Sequence, residues 1–172
     1  MDIRTIVLSA GCLTMLTAAG FARARSVESP DRQFMITAAK ADMTEAHQGQ
    51  LAEGQATRTD VKDLAKTLVQ DHTESYQELT ELSAKTGVSI PKGIDSAKDP
   101  TLRQLAHLKG PNFDKQFTRD EISSHRQAIA VFKREAAHGR DEAVKAYAAK
   151  MVPVLEKHLH LAEECAKSAK HT

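Results

Sequence analysis

Residues 61–82 read VKDLAKTLVQDHTESYQELTEL. Stepping through them by alternate fours and threes collects Val61, Ala65, Leu68, His72, Ser75, Leu79 and Leu82. That spacing is the apolar stripe of an amphipathic helix, here with a histidine at its centre. A helix of this length needs partners of similar length, and the rest of the chain supplies them.

Turn residues divide the chain. Ser29-Pro30-Asp31 opens a first helix ending near Gly54, and Thr59-Asp60 caps a second that stops near Gly87. GVSIPKGIDSAKDP, residues 87–100, is the one long turn-rich stretch, and PTLRQLAHLK after it reads as a short helix. Gly110-Pro111-Asn112 begins a third long helix ending near Gly139; Arg140-Asp141 leads into a fourth ending near Lys167. Four long helices with two tight connections predict an all-α four-helix bundle. The connection from about Gly87 to Gly110 suits either a crossover along the bundle, as in ferritin-like folds, or a flap over one end of an up-down bundle. Periodicity leaves both open.

Each stripe is interrupted near its middle by one ionisable residue. The third helix carries Ile122, His125, Ile129, Phe132 and Ala136. The fourth carries Val144, Ala148, Met151, Leu155, His158, Ala162 and Cys165, and the first carries Phe34, Ala38, Ala41, Glu45 and Ala52. A midpoint keeps its height whichever way a helix runs, and errors of three or four residues at the ends blur it by roughly 5 Å. Glu45, His72, His125 and His158 are therefore expected in one core layer. Imidazole and carboxylate in a rigid core are ligands for Zn²⁺, Fe²⁺ or Mn²⁺. One divalent transition metal held by these four, with Glu45 as fourth ligand or base, is the leading expectation. Asp71 (beside His72) and Glu121 (one turn before His125) are candidates for supporting or additional ligands. The competing reading is a structural network of buried polar groups without catalysis, in a module acting by protein contact or in envelope stress.

The other histidines fit no stripe. His160 points about 200° away from His158 and is placed outside, within reach of Glu156 or Glu164. His47, His107, His138 and His171 read as surface residues. Pro153 falls inside the fourth helix, where a kink is expected. No Gly-rich phosphate loop or nucleophile elbow is present, and no residue set specifies a reaction.

Composition narrows the remaining classes. The 172 residues are 41% hydrophobic and 27% charged, enough for one domain with a sizeable core. Acidic and basic residues are interspersed, with no basic block and only 4% aromatics, so nucleic acid is not an expected partner. MDIR, then eighteen uncharged residues and Ala22-Arg23-Ala24, predicts a secretory signal peptide over residues 1–24. Retention of that segment as an anchor is the alternative, disfavoured by its Ser, Thr and Gly content. Without Asp2, Arg4 and Arg23 the remaining chain has 22 basic and 22 acidic residues, no further span, and one cysteine, Cys165. No internal disulfide can form, so packing must supply the stability. A protein partner or homo-oligomer is not readable.

FMITAAKADMTEAHQGQLAEGQATRTDVKDLAKTLVQDHTESYQEL, LAHLKGPNFDKQFTRDEISSHRQAIAVFKREA and YAAKMVPVLEKHLHLAEE together resemble the DUF4142 family. The resemblance covers residues 33–166. Its most specific parts are Asp71-His72, Gly110 to Asp114, and Pro153 to His158, with Glu45 at the family's acidic position in the first helix. It implies a ferritin-like four-helix fold and export, often under the label predicted outer membrane protein, and no assigned activity. Where many members carry an acidic residue before the third-helix histidine, this chain has Ser124. Di-iron bundles of this fold use Glu-x-x-His motifs. Three residues before His72, His125 and His158 stand Val69, Ile122 and Leu155. A single metal therefore fits better than an oxo-bridged pair. The absence of alternating strands argues for a periplasmic protein rather than an outer-membrane barrel.

Overall fold

The computed structural model describes residues 29–169; residues 1–24, expected to be a signal peptide, and His171 lie outside them. The described residues form five helices: α1 (Ser29–Gln55), α2 (Thr59–Thr86), α3 (Pro100–Ala106), α4 (Gly110–His138) and α5 (Glu142–Ser168). α1 packs on α2 and α4 on α5; α2 then lies beside α5, and α1 beside α4. None of these helices is long and apolar enough to cross a membrane.

The long connection is a crossover. α2 ends where Thr86 meets Met35 at the start of α1. α4 begins at the other end of the bundle, where Asp114 meets the α1–α2 turn at Thr57 and Arg58. The segment between must run the length of the bundle, which makes α2 and α4 parallel. This is the ferritin-like connectivity. Val88 and Ile90 bury at one end, Leu102 and Leu105 of α3 at the other, and the Tyr76 hydroxyl donates to the Pro91 carbonyl at 2.8 Å.

Local chemistry explains the boundaries. Gly87 takes the left-handed conformation (φ 71°) that ends α2. Asp99 accepts from Leu102 N at 2.9 Å and Asp141 from Ala143 N at 3.0 Å, capping α3 and α5. α2 departs from expectation, because neither Thr59 nor Asp60 caps it. Its N-cap is Arg58, and the amides of Thr57 and Arg58 donate instead to Asp114 of α4, at 3.0 and 3.1 Å. Asp31 does the same at the opposite end, accepting from Arg140 N at 2.9 Å and Asp141 N at 2.6 Å. Two buried aspartates thus fasten the two tight turns to helices distant in sequence. α5 continues through the exposed Pro153.

Gly49 marks a close approach of α1 to α2. A Cβ there would stand 2.7 Å from Val69 Cγ2 and 3.0 Å from the Ala65 carbonyl. Mid-helix glycine costs about 1 kcal/mol against alanine, and the tight helix contact offsets it.

The apolar core comes in two pieces. One holds Phe34, Leu79, Phe132, Val144 and Met151; the other holds Ala52, Leu68, Phe113, Phe117 and Ala162. Between them all four long helices present buried polar side chains: Asp42, Glu45, His72, Ser75, Glu121, His125 and His158.

Candidate metal centre

His72, His125 and His158 converge. Their ring centroids are 5.2 to 5.7 Å apart, and one ring nitrogen from each lies within 4.8 Å of the other two. All three are at most 3% exposed. The three histidines thus share one level of the core.

The outward nitrogens are each tied to an acceptor. His72 Nδ1 meets Asp42 Oδ1 at 2.9 Å, His125 Nδ1 meets the Glu121 carbonyl at 2.9 Å, and His158 Nε2 meets Asp71 Oδ2 at 2.8 Å. A carbonyl or an ionised carboxylate can only accept, so each of these ring nitrogens carries the proton and donates it. In the neutral rings the inward nitrogens then carry lone pairs. His125 Nε2 and His158 Nδ1 face each other at 3.2 Å, and His72 Nε2 has no hydrogen-bond partner. Two lone pairs at that distance repel unless a proton or a cation joins them.

The supporting residues differ partly from expectation. Asp71 serves His158 rather than its chain neighbour His72, and Lys157 Nζ also reaches it at 3.1 Å. His72 is oriented by Asp42, which also accepts from Ser75 Oγ at 2.8 Å. Since Ser75 spends its proton on Asp42, the Tyr147 hydroxyl donates to Ser75 Oγ, at 2.7 Å. Asp42 was missed because the first-helix stripe was read through Ala41, which is exposed. The buried ladder is Met35, Ala38, Asp42, Glu45, Gly49, Ala52 and Ala56, an unbroken three–four alternation. With two carboxylates on it, hydrophobicity could not show its phase. In α4 likewise it is Glu121, fully buried, that faces the core, and Ile122 is only partly covered.

Glu45 stands with Glu121 and His125 in a second buried group, one ligand atom of each again within 4.8 Å of the others. Both oxygens of Glu121 and Oε2 of Glu45 lack a hydrogen-bond donor. Burial pushes Glu121 well above the ordinary carboxylate range, and the charge on Glu45 adds to this. Burial also works to raise Glu45, but His125 and His72 outweigh it and hold Glu45 below its usual value. Of the two carboxyls, Glu121 is thus the one that holds a proton more readily. Burial works to lower His72, yet its hydrogen bond to Asp42 and the charges of Glu45, Asp42 and Asp71 leave it raised. Burial lowers His125, and burial with the charge of His72 lowers His158 to about 4.

The remaining histidines are peripheral. His47, His107, His138 and His160 are exposed, and the two glutamates expected near His160 pair with lysines instead, Glu156 with Lys133 and Glu164 with Lys167. Cys165 is buried, its thiol pushed up to about 11 by burial.

The profile of the family described as "Domain of unknown function (DUF4142)" matches residues 16–165. The chain belongs to the DUF4142 family. No curated protein matches the sequence. Two solved structures share the fold of this DUF4142 protein. A DUF305 fragment from Deinococcus radiodurans superposes with a TM-score of 0.71 at 16% identity, covering 81% of this chain and 97% of its own. CopM in the Cu(I)-bound form superposes with a TM-score of 0.68 at 16% identity, covering 80% of this chain and 96% of its own. Identities this low establish the bundle architecture and leave the site to be argued from its own residues.

Proposed function

We propose that this DUF4142 protein is an exported four-helix bundle that binds one transition metal ion through His72, His125 and His158. The observation that carries the reading is the opposed pair His125 Nε2 and His158 Nδ1, 3.2 Å apart with both outward nitrogens already donating. Two nitrogens bonded at 2.0–2.1 Å to one tetrahedral ion stand about 3.3 Å apart. The three outward acceptors supply the orientation that metal-bound imidazoles need. Glu45 adds a carboxylate beside His125, as charge balance or as a fourth ligand. Nitrogen donors with a neighbouring carboxylate suit Zn²⁺, Fe²⁺ or Mn²⁺, and the Cu(I) carried by one structural neighbour adds copper to the ions worth testing.

The hydrogen bond to Asp42 and the neighbouring carboxylate charges raise His72, so a proton competes with an ion for its inward nitrogen. Metal uptake near neutral pH should therefore release protons. The alternative, a purely structural polar network, is favoured by the Tyr147–Ser75–Asp42–His72 chain, which closes without any ion.

The deciding experiment is calorimetric titration of untagged, chelator-free protein with Zn²⁺, Mn²⁺, Fe²⁺ and, under reducing conditions, Cu⁺. The expected result is one equivalent bound, with proton release and a higher melting temperature. The His72→Ala/His158→Ala double variant should lose all three effects. Binding below about a tenth of an equivalent with no melting shift leaves the structural network as the function of the layer. Export with removal of residues 1–24 is tested by the N-terminus of protein recovered from the periplasm. A chain still beginning at Met1 rejects it.

A further inference from the structure

A second site lies away from the histidine layer. At the end of the bundle where α1 turns into α2, a cleft of about 900 Å³ opens between the first turns of α4, the last turn of α5 and Thr57–Arg58. Its lining is mostly apolar, with Ile122, Cys165, Ala166 and Ala169 contributing. Three cationic side chains, Arg58, Lys115 and Arg119, border it alongside a single carboxylate, Asp114.

These charges are unequally engaged. Asp114 is saturated by the Thr57 amide and hydroxyl and by the Arg58 amide, at 3.0, 2.5 and 3.1 Å. Arg58 pairs with Asp60. Lys115 and Arg119 sit one turn apart on the exposed side of α4, and neither forms an ion pair among the described residues. The lining is thus net positive in a chain that is otherwise balanced. The helix ends do not decide its sign, because the N-terminus of α4 and the C-terminus of α5 meet there with opposite dipoles. Lys115 and Arg119 decide it. Walls that are mostly apolar, bordered by unpaired cations, select a ligand with a long apolar body and one anionic end.

We infer that this cleft binds a free long-chain carboxylate, with its head on Lys115 and Arg119 and its chain against Ile122, Cys165 and the last turn of α5. A cationic amphiphile would meet the wrong charge. The inference does not depend on metal binding, since none of these residues belongs to the histidine layer.

The test is displacement of a fluorescent acyl carboxylate from the full chain by octanoate, decanoate and dodecanoate, each below its micellar concentration. Affinity should rise roughly fourfold per methylene, the ratio that corresponds to about 0.8 kcal/mol per buried CH₂. Dodecyltrimethylammonium should bind at least tenfold more weakly than dodecanoate. Lys115→Glu/Arg119→Glu should weaken dodecanoate at least tenfold while leaving the melting temperature in place, and the milder Lys115→Gln/Arg119→Gln pair should act in the same direction. Ala169→Trp, at an exposed position on the cleft, should block the chain. His158→Ala should leave dodecanoate binding unchanged. Absence of saturable binding, no dependence on chain length, equal binding of the cationic amphiphile, or indifference to both charge variants each overturns the assignment.

Discussion

Asp31 and Asp114 sit near the two ends of the bundle, Glu45 and Glu121 at its middle, and the same helices take all four carboxylates out of water. Their surroundings differ completely. The aspartates collect backbone amides: two for Asp31, two plus a hydroxyl for Asp114. Of the central glutamates, both oxygens of Glu121 and Oε2 of Glu45 meet no donor. A buried carboxylate saturated by amides is a fastening, since everything it needs is built into the chain. One left short needs something from outside, a proton or a cation. The same contrast runs through the histidines, whose outer nitrogens are all satisfied while their inner ones face one another.

Breaking a fastening should cost most. Asp114→Ala leaves two amides and a hydroxyl without their acceptor and should destabilise by roughly 3 kcal/mol. In a domain of this size that lowers the melting temperature by on the order of 10 °C. Calorimetry checks it, and a shift below about 2 °C would mean that water replaces the carboxylate without loss.

The layer should respond to pH. His158 is held at about 4, below its unfolded value, so the native state resists a proton that the unfolded chain accepts. Stability from this group is complete above about pH 6.5 and is lost as the pH falls toward 4. Melting the metal-free protein at pH 6.5 and at 4.5 should show a loss of roughly 2 kcal/mol from His158 alone. The His158→Gln variant should show a shallower slope by that amount.

Removing an orienting acceptor should weaken metal binding without unfolding the protein. Asp42→Asn takes away the charge that holds the Nδ1 proton of His72, and metal affinity should fall ten- to a hundredfold with little change in melting. An unchanged affinity would mean that His72 is not a ligand.

The smallest effect concerns Glu121. Its carboxyl is raised, so it supports the fold at low pH and costs stability as the pH rises through and above the ordinary glutamate range. Metal-free Glu121→Gln should melt slightly higher than the parent at pH 8, by on the order of 1 kcal/mol, and equally at pH 4.5. A lower melting point at pH 8, together with weaker metal binding, would show that Glu121 serves as a carboxylate ligand instead.

Much of this was legible in the chain. Val61 to Leu82 and Val144 to Cys165 declare their buried faces because apolar residues outnumber polar ones along each ladder, and a midpoint histidine keeps its height whichever way its helix runs. α1 and α4 were less readable where the core itself is polar. A stripe carrying Asp42, Glu45 and Gln48 offers hydrophobicity no phase, so Ala41 was read in place of Asp42, and Ile122 in place of Glu121. The amphipathic period, the turn signals and the one-level placement of Glu45, His72, His125 and His158 come from local sequence, because they depend on spacing along single helices. The crossover, the exchange of Asp71 from His72 to His158, the fastening of the α1–α2 turn by Asp114 and the division of the layer into a histidine group and a carboxylate group come from the tertiary structure alone. Each depends on which helix lies beside which, and that is set by packing between segments 30 to more than 100 residues apart.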